Sequence, residues 1–196
     1  MAEKKQRKFS QINSGFLKSF SFRNFNNIKQ TAHACPLSSR LIITTRNIRD
    51  IIDGCNQEAV YKFLFKEKLR GREYNEDDAR SFISWANNGW KEKSYFVFVI
   101  KTKDNKIIGA LDIKSNKLES AEIGYWANSD YSGYMTNAVI RLIKRAKLAG
   151  YKSLVAFTKP RNHKSKRLLI RAGFDCVGKG DKKPNLKMDK FIFKLK

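Results

Sequence analysis

Apolar residues along this chain recur in two rhythms, and the switches between them divide it into strands and helices. Met135, Ala138, Val139, Leu142, Ile143 and Ala146 return every third or fourth position, which predicts an amphipathic helix closed by Gly150. The stretch before it, residues 121–126, is strand-like, and residues 153–157 form a short buried strand that Thr158, Lys159 and Pro160 break. Asn162 then caps a helix ending at Gly173, with Phe174 as its hydrophobic follower. Upstream, residues 40–45 read as a first strand. An imperfect helical pattern over residues 47–65 places Ile48, Ile51 and Ile52 before Gly54 and Val60, Phe63 and Leu64 after it. Asn75 caps a further helix, with Glu76, Asp77 and Asp78 in the first turn, where the helix dipole favours acids, and Ala79, Phe82, Ile83 and Ala86 at core spacing. Residues 95–101 and 106–114 predict a hairpin turning through residues 103–105, and residues 187–196 a last strand. That order implies a mixed α/β or α+β sheet with helices on its faces.

Two stretches carry candidate chemistry. The succession of strand, glycine-containing turn and helix aims backbone N–H groups and the positive end of a helix dipole at one point near Ser132 and Gly133. Such a point suits a phosphate, and a glycine lets a ligand approach the main chain closely. An ordinary strand-to-helix turn carries the same pattern. In the helix after Asn162, the residues Asn162, Ser165, Leu169 and Ala172 share one face, while Lys164, Arg167 and Arg171 lie on another. Ser165 therefore points along a core stripe, which fits an inward functional hydroxyl or a local cap equally well. Trp85 and Trp90 fit packing better than the border of a substrate groove.

Composition adds an electrostatic expectation. Forty-one Lys and Arg against 18 Asp and Glu give a formal net charge of +23. Such a field implies an anionic partner (RNA, the ribosome, a membrane surface or an acidic protein) unless it is merely a solvated lysine-rich surface. Residues 1–38 form a basic N-terminal extension, with seven cations against Glu3 alone and with Phe9, Phe16, Phe20, Phe22 and Phe25 interleaved. Charge mixed with aromatic rings grips nucleic acid in some proteins. Equally, the rings fit packing against the domain, or the arm stays flexible. Residues 141–172 hold eleven cations and no acid, and helical spacing puts Lys164, Arg167 and Arg171 outward, toward solvent or a polyanion. Cys35, Cys55 and Cys176 are odd in number and far apart, which fits free thiols in a reducing compartment. No Cys/His cluster has metal-ligand spacing, so no metal is expected. No apolar run approaches the roughly 18 residues of a membrane span, and the N-terminus lacks a continuous apolar signal core. A cytoplasmic protein is expected.

The motifs in order then point to a family. Glu122-Ile123-Gly124-Tyr125-Trp126, Gly133-Tyr134-Met135-Thr136-Asn137-Ala138-Val139, Asn162-His163-Lys164-Ser165-Lys166-Arg167-Leu168-Leu169 and Ala172-Gly173-Phe174 together resemble the GNAT acetyltransferases, most of all their RimJ/RimL-like branch. The resemblance covers residues 39–196. It implies a mixed, mostly antiparallel central sheet flanked by helices. It also implies transfer of an acetyl group from acetyl-CoA to a primary amine: a protein N-terminus, a small-molecule amine or an RNA-bound aminoacyl group. At pH 7 an α-amino group of pKa about 8 is mostly protonated and needs a proton acceptor before it attacks a thioester. Glu122 matches that role, because partial burial on its strand makes a carboxylate a stronger base. Backbone N–H groups near Tyr125 and Trp126 would face the developing oxyanion. Ser132, Gly133, Tyr134, Met135, Thr136 and Asn137 would hold the pyrophosphate, Ser165 would protonate or bind the departing thiolate, and Asn162 would hold coenzyme or helix start. The family's loop usually reads Q/R-x-x-G-x-G/A, whereas residues 128–133 keep only the last glycine and bring Asp130 near the phosphate position. This shortened loop supports a rival expectation, a catalytically weakened module that binds RNA or ribosome through its basic surface.

Overall fold

The computed structural model describes residues 12–183 and 186–195. Its centre is β3 (Phe96–Lys101), paired antiparallel with β4 (Ile107–Ile113). Every residue of β3 is buried, as expected for a near-continuous apolar strand covered on both faces. Successive side chains enter opposite layers: Phe96, Phe98 and Ile100 join one core, Val97 and Val99 the other. The first core is roofed by α4 (Tyr134–Leu148), which buries Ala138, Leu142 and Ala146 completely. The second is roofed by α1 (Thr45–Asn56) and α3 (Glu76–Glu92), through Ile51, Ala79 and Ala86. Asn75 caps α3 in a reciprocal box with Asp78, as its sequence predicts.

Eight strands make one sheet in the order β1 (Phe20–Arg23), β2 (Thr31–Pro36), β3, β4, β5 (Ala121–Ala127), β6 (Ser153–Thr158), β8 (Leu186–Lys194), β7 (Asp175–Lys183). Every junction is antiparallel except that between β5 and β6. This is the mixed, mostly antiparallel sheet expected. The parallel junction is short. Only Ala121 with Leu154 and Glu122 with Val155 are partners, and beyond them the strands diverge into an open V. Two shorter helices flank the opening, α2 (Glu58–Leu64) and α5 (His163–Arg171).

One expectation changes, and two open readings gain detail. Residues 40–45 are not a strand: they run as a turn and coil into Thr44, which caps α1 in a reciprocal box with Asn47. The β3 edge they would need is already held by β2, and Ile42 is left 81% exposed. The helical stretch is two helices that part at Gln57, whose ψ is 134°. Gly54 lies inside α1, where an added Cβ would stand 2.5 Å from the Trp126 ring. Finally, the basic segment contributes to the sheet. Phe9 lies outside the described residues, but Leu17, Phe20 and Phe22 are buried in the α4-side core, and β1 and β2 extend the sheet edge. Phe16 and Phe25 remain exposed.

Candidate active site

The V between β5 and β6 opens a cavity of about 830 Å³, within the range of about 300–1,000 Å³ usual for small-molecule sites. Its first wall is the free edge of β5. Lys114 N–H donates to Glu122 O (2.8 Å) and Asn128 N–H to Ile108 O (2.9 Å). Bonded positions alternate along an antiparallel pair, so Glu122, Gly124, Trp126 and Asn128 turn their main-chain groups to β4. Tyr125 and Ala127 turn theirs to the opposite edge, past the last β6 partner. Of the two residues expected near the oxyanion, Tyr125 therefore presents its N–H to the cavity, whereas the N–H of Trp126 belongs to the β4 ladder. The Trp126 ring is buried against Gly54 under α1. Trp85 and Trp90 are packing residues: Trp85 stacks on Tyr95 and the Trp90 indole donates to Val97 O (2.7 Å).

The second wall is the start of α4. Its N-cap is Gly133, held at φ +88°, a conformation costly for any side chain, and it offers no capping group to the first turn of the helix. Ser132, Gly133, Met135 and Thr136 line the cavity. The side chains of Tyr134 and Asn137 point away: Tyr134 Oη donates to Gln30 Oε1 (3.3 Å) and Asn137 Nδ2 to Arg23 O (2.8 Å). The shortened loop before this turn is clamped by Gln57. Its carbonyl oxygen accepts from Ser129 N–H (2.6 Å), and its amide donates to Asn128 Oδ1 (2.8 Å) and Asp130 Oδ2 (3.1 Å). Asp130 thus faces the α1–α2 junction and does not line the cavity.

The third wall comes from the end of β6 and from α5. Asn162 Oδ1 accepts the Ser165 N–H (3.2 Å), so the residue starts the helix and also borders the cavity. Leu169 anchors α5 in the core, which turns Ser165 toward β5, where its hydroxyl lies 2.7 Å from Tyr125 Oη. Burial pushes the Tyr125 phenol well above its ordinary range, so it remains protonated and able to donate. Thr158 Oγ1, buried on the same wall, has no hydrogen-bond partner among the described residues. Lys164, Arg167 and Arg171 are exposed, but they line the mouth of the cavity rather than an outward face. The helix rests on Leu169 with its cationic flank over the V, a tilt that helical spacing alone does not fix. No carboxylate among the described residues lies within ion-pair distance of these three.

Glu122 sits where β5 and β6 part, with a side chain 23% exposed that lines the cavity. Lys114 reaches across Gly124 to hold its Oε1 at 2.6 Å; an added Cβ at Gly124 would stand 2.8 Å from the lysine Cε. Opposite, α2 contributes Phe63 and Leu64, and beyond it Glu67 holds Lys159 at 2.7 Å across the mouth. Glu122, Tyr125, Ser165, Asn162 and the Gly133 turn, distant in sequence, thus share one cavity. Sequence reasoning missed Phe25, Asn26 and Thr158 in its lining. The first two arrive on the loop between β1 and β2, which no local signal assigns to the α4 turn.

The sheet is opened at its single parallel junction, and the uncapped start of α4 lines the gap. A family model for the acetyltransferase (GNAT) domain matches residues 40–175, and the chain belongs to that family. Its fold is shared with RimJ of Mycobacterium smegmatis, solved with a CoA disulfide (20% identity, TM-score 0.68, covering 90% of this chain and 86% of that one). It is also shared with a Salmonella typhimurium acetyltransferase that modifies the N-terminal serine of ribosomal protein L7/L12 (12% identity, TM-score 0.67, 84% and 95%). A third likeness is to spermidine N-acetyltransferase of Vibrio cholerae, solved with CoA and spermine (14% identity, TM-score 0.61, 79% and 94%). No curated protein matches the chain by sequence. Among the described residues no helix is long and apolar enough to cross a membrane, and no group of three or more His, Cys, Asp and Glu side chains is placed to hold a metal ion.

Proposed function

We propose that this protein binds acetyl-CoA in the V and transfers its acetyl group to a primary amine, presented by a protein N-terminus, a small molecule or an RNA-bound aminoacyl group. The observation that carries this reading is that the open β5 edge, the uncapped α4 start, Glu122 and the Ser165–Tyr125 pair all border one cavity. The residues fit the coenzyme: unclaimed N–H groups and three cations for its phosphates, an open strand edge for its amide-bearing arm, and Thr158 Oγ1 in need of a partner.

In this reading Glu122, positioned by Lys114, accepts the proton that the amine nitrogen gives up as it bonds to the acetyl carbon. The Tyr125 N–H donates to the carbonyl oxygen as charge builds there. Ser165 gives its proton to the sulfur as the carbon–sulfur bond breaks, while Tyr125 Oη donates to the serine oxygen from behind. A titration by calorimetry tests the reading: heat of binding with acetyl-CoA supports it, and none at millimolar acetyl-CoA with folded protein overturns it.

The rival reading of a weakened module drew on Asp130, and the turn of that carboxylate toward Gln57 favours the enzyme instead. The charge of +23 still favours contact with RNA or a ribosome-borne acceptor. Affinity for RNA that falls steeply with salt would support such contact, and no binding at low salt would remove it.

A further inference from the structure

The loop that joins β1 to β2 closes over the α4 turn like a strap, and it is fixed there by main-chain and side-chain bonds. Phe25 N–H donates to Gly133 O (2.8 Å), and Asn24 Nδ2 donates to Ser132 O (3.0 Å). Asn24 itself is buried, and its Oδ1 takes the N–H of Asn26 (2.8 Å). The fit is close enough that a Cβ on Gly133 would stand 2.2 Å from Asn24 Oδ1.

On this rigid base two side chains are left facing the cavity mouth. Phe25 is 53% exposed, and it lines the cavity. Arg171 of α5 stands with its guanidinium carbon 5.8 Å from the ring centroid. The Asn26 amide lines the same rim, and no hydrogen bond to it exists among the described residues. An aromatic face, an open amide and a guanidinium next to a phosphate-binding turn are the groups that recognise a purine nucleotide.

Resting on the acetyl-CoA reading, we propose that the strap is the nucleotide-recognition element of this site. With the thioester at Glu122 and Ser165 and the pyrophosphate at the α4 start, the adenosine end of the coenzyme reaches the rim where the strap lies. Phe25 stacks on the adenine, Asn26 meets its polar edge, and Arg171 faces the ribose phosphate. The basic N-terminal segment therefore serves coenzyme selection, and acyl carriers without a nucleotide bind only through the remaining walls.

Calorimetry with three ligands tests this on the full chain: acetyl-CoA, acetyl-4′-phosphopantetheine, which lacks the nucleotide, and adenosine 3′,5′-bisphosphate, which lacks the arm. Phe25→Ala is expected to weaken acetyl-CoA and the bisphosphate by about tenfold, the scale of one lost base–aromatic stack, and to leave the phosphopantetheine unchanged. Phe25→Trp, which keeps a stacking face, is expected to restore binding, and an unchanged melting temperature shows that the strap is still seated. If the parent binds acetyl-CoA and Phe25→Ala binds it equally well, the strap has no such role while the acetyl-transfer reading stands. An equal loss for all three ligands would mean that Phe25 only supports the turn, and the proposal falls. If the parent does not bind acetyl-CoA at all, the functional reading falls and takes this proposal with it.

Discussion

Strand β5 has two edges with different fates. Toward β4 it is zipped from Ile123 to Ala127 by five consecutive partner pairs; toward β6 it holds two and then lets go. The zipped side is closed by side chains of the core, such as Phe98 and Leu111, both almost fully buried. The open side is lined by the main chain of Tyr125 and Ala127, the start of α4 and the Glu122 carboxylate that Lys114 holds. One strand thus divides its main-chain groups by parity, even numbers bonding to the ladder and Tyr125 and Ala127 facing the cavity, while the Glu122 side chain reaches the cavity from the face of the sheet. A change on the zipped edge is expected to act on folding, and a change on the open edge on turnover.

The largest effect expected is on the zipped side. Phe98→Ala should cost about 3–5 kcal/mol of stability, read by urea denaturation, whereas Tyr125→Phe, which removes one hydroxyl, should leave the midpoint nearly in place while lowering turnover. Equal losses of stability would dissolve the distinction. Next, Glu122→Gln should lower turnover by about 10²- to 10⁴-fold and flatten its rise with pH. It should barely move the melting temperature, because its partly exposed ion pair with Lys114 contributes little once solvent screening is counted. Ser165→Ala should lower turnover with less change in coenzyme affinity; parent-like rates in both variants would remove these roles.

Gly133→Ala should be felt on both sides of the comparison. The residue's φ of +88° makes a side chain cost about 1–2 kcal/mol, and the strap over it must also shift, so coenzyme affinity should fall together with stability. The smallest effect concerns β8, behind the cavity. Asp189 is held below the ordinary carboxylate range by Lys166 and then Lys179, which both bond to it. A depressed folded pKa gives stability that is present above the ordinary carboxylate pKa of about 3.9 and is lost as pH falls through the folded value. Melting temperature should therefore drop on acidification below that point less steeply in Asp189→Asn than in the parent, and identical slopes would show that the carboxylate contributes nothing.

Much of this arrangement is written in short stretches of sequence. The periodicity of α4, the Asn75 and Asn162 caps and the all-apolar β3 are local, so local physics reads them. Glu122 and Ser165 were marked by motif order, and the cavity brings them together. What escaped is long-range. Residues 40–45 look like a strand because Leu41, Ile42 and Ile43 are apolar, yet a strand needs a free neighbour, and β2 had taken it. Asp130 was legible as a charge but not as a partner of Gln57, which lies 73 positions away. Phe25 reads as one more aromatic residue in a basic arm until β1 and β2 carry it onto the Gly133 turn.

The most direct test of the central claim is amide hydrogen exchange, resolved by residue, with and without acetyl-CoA. If the coenzyme lies along the open edge of β5, the amides of Tyr125 and Ala127 and of residues 134–136 gain protection on binding. Gly124 and Trp126, already bonded to β4, then keep the exchange rates they had. Protection that spreads evenly along β5, or that leaves Tyr125 and Ala127 unchanged while the coenzyme is bound, would contradict the account.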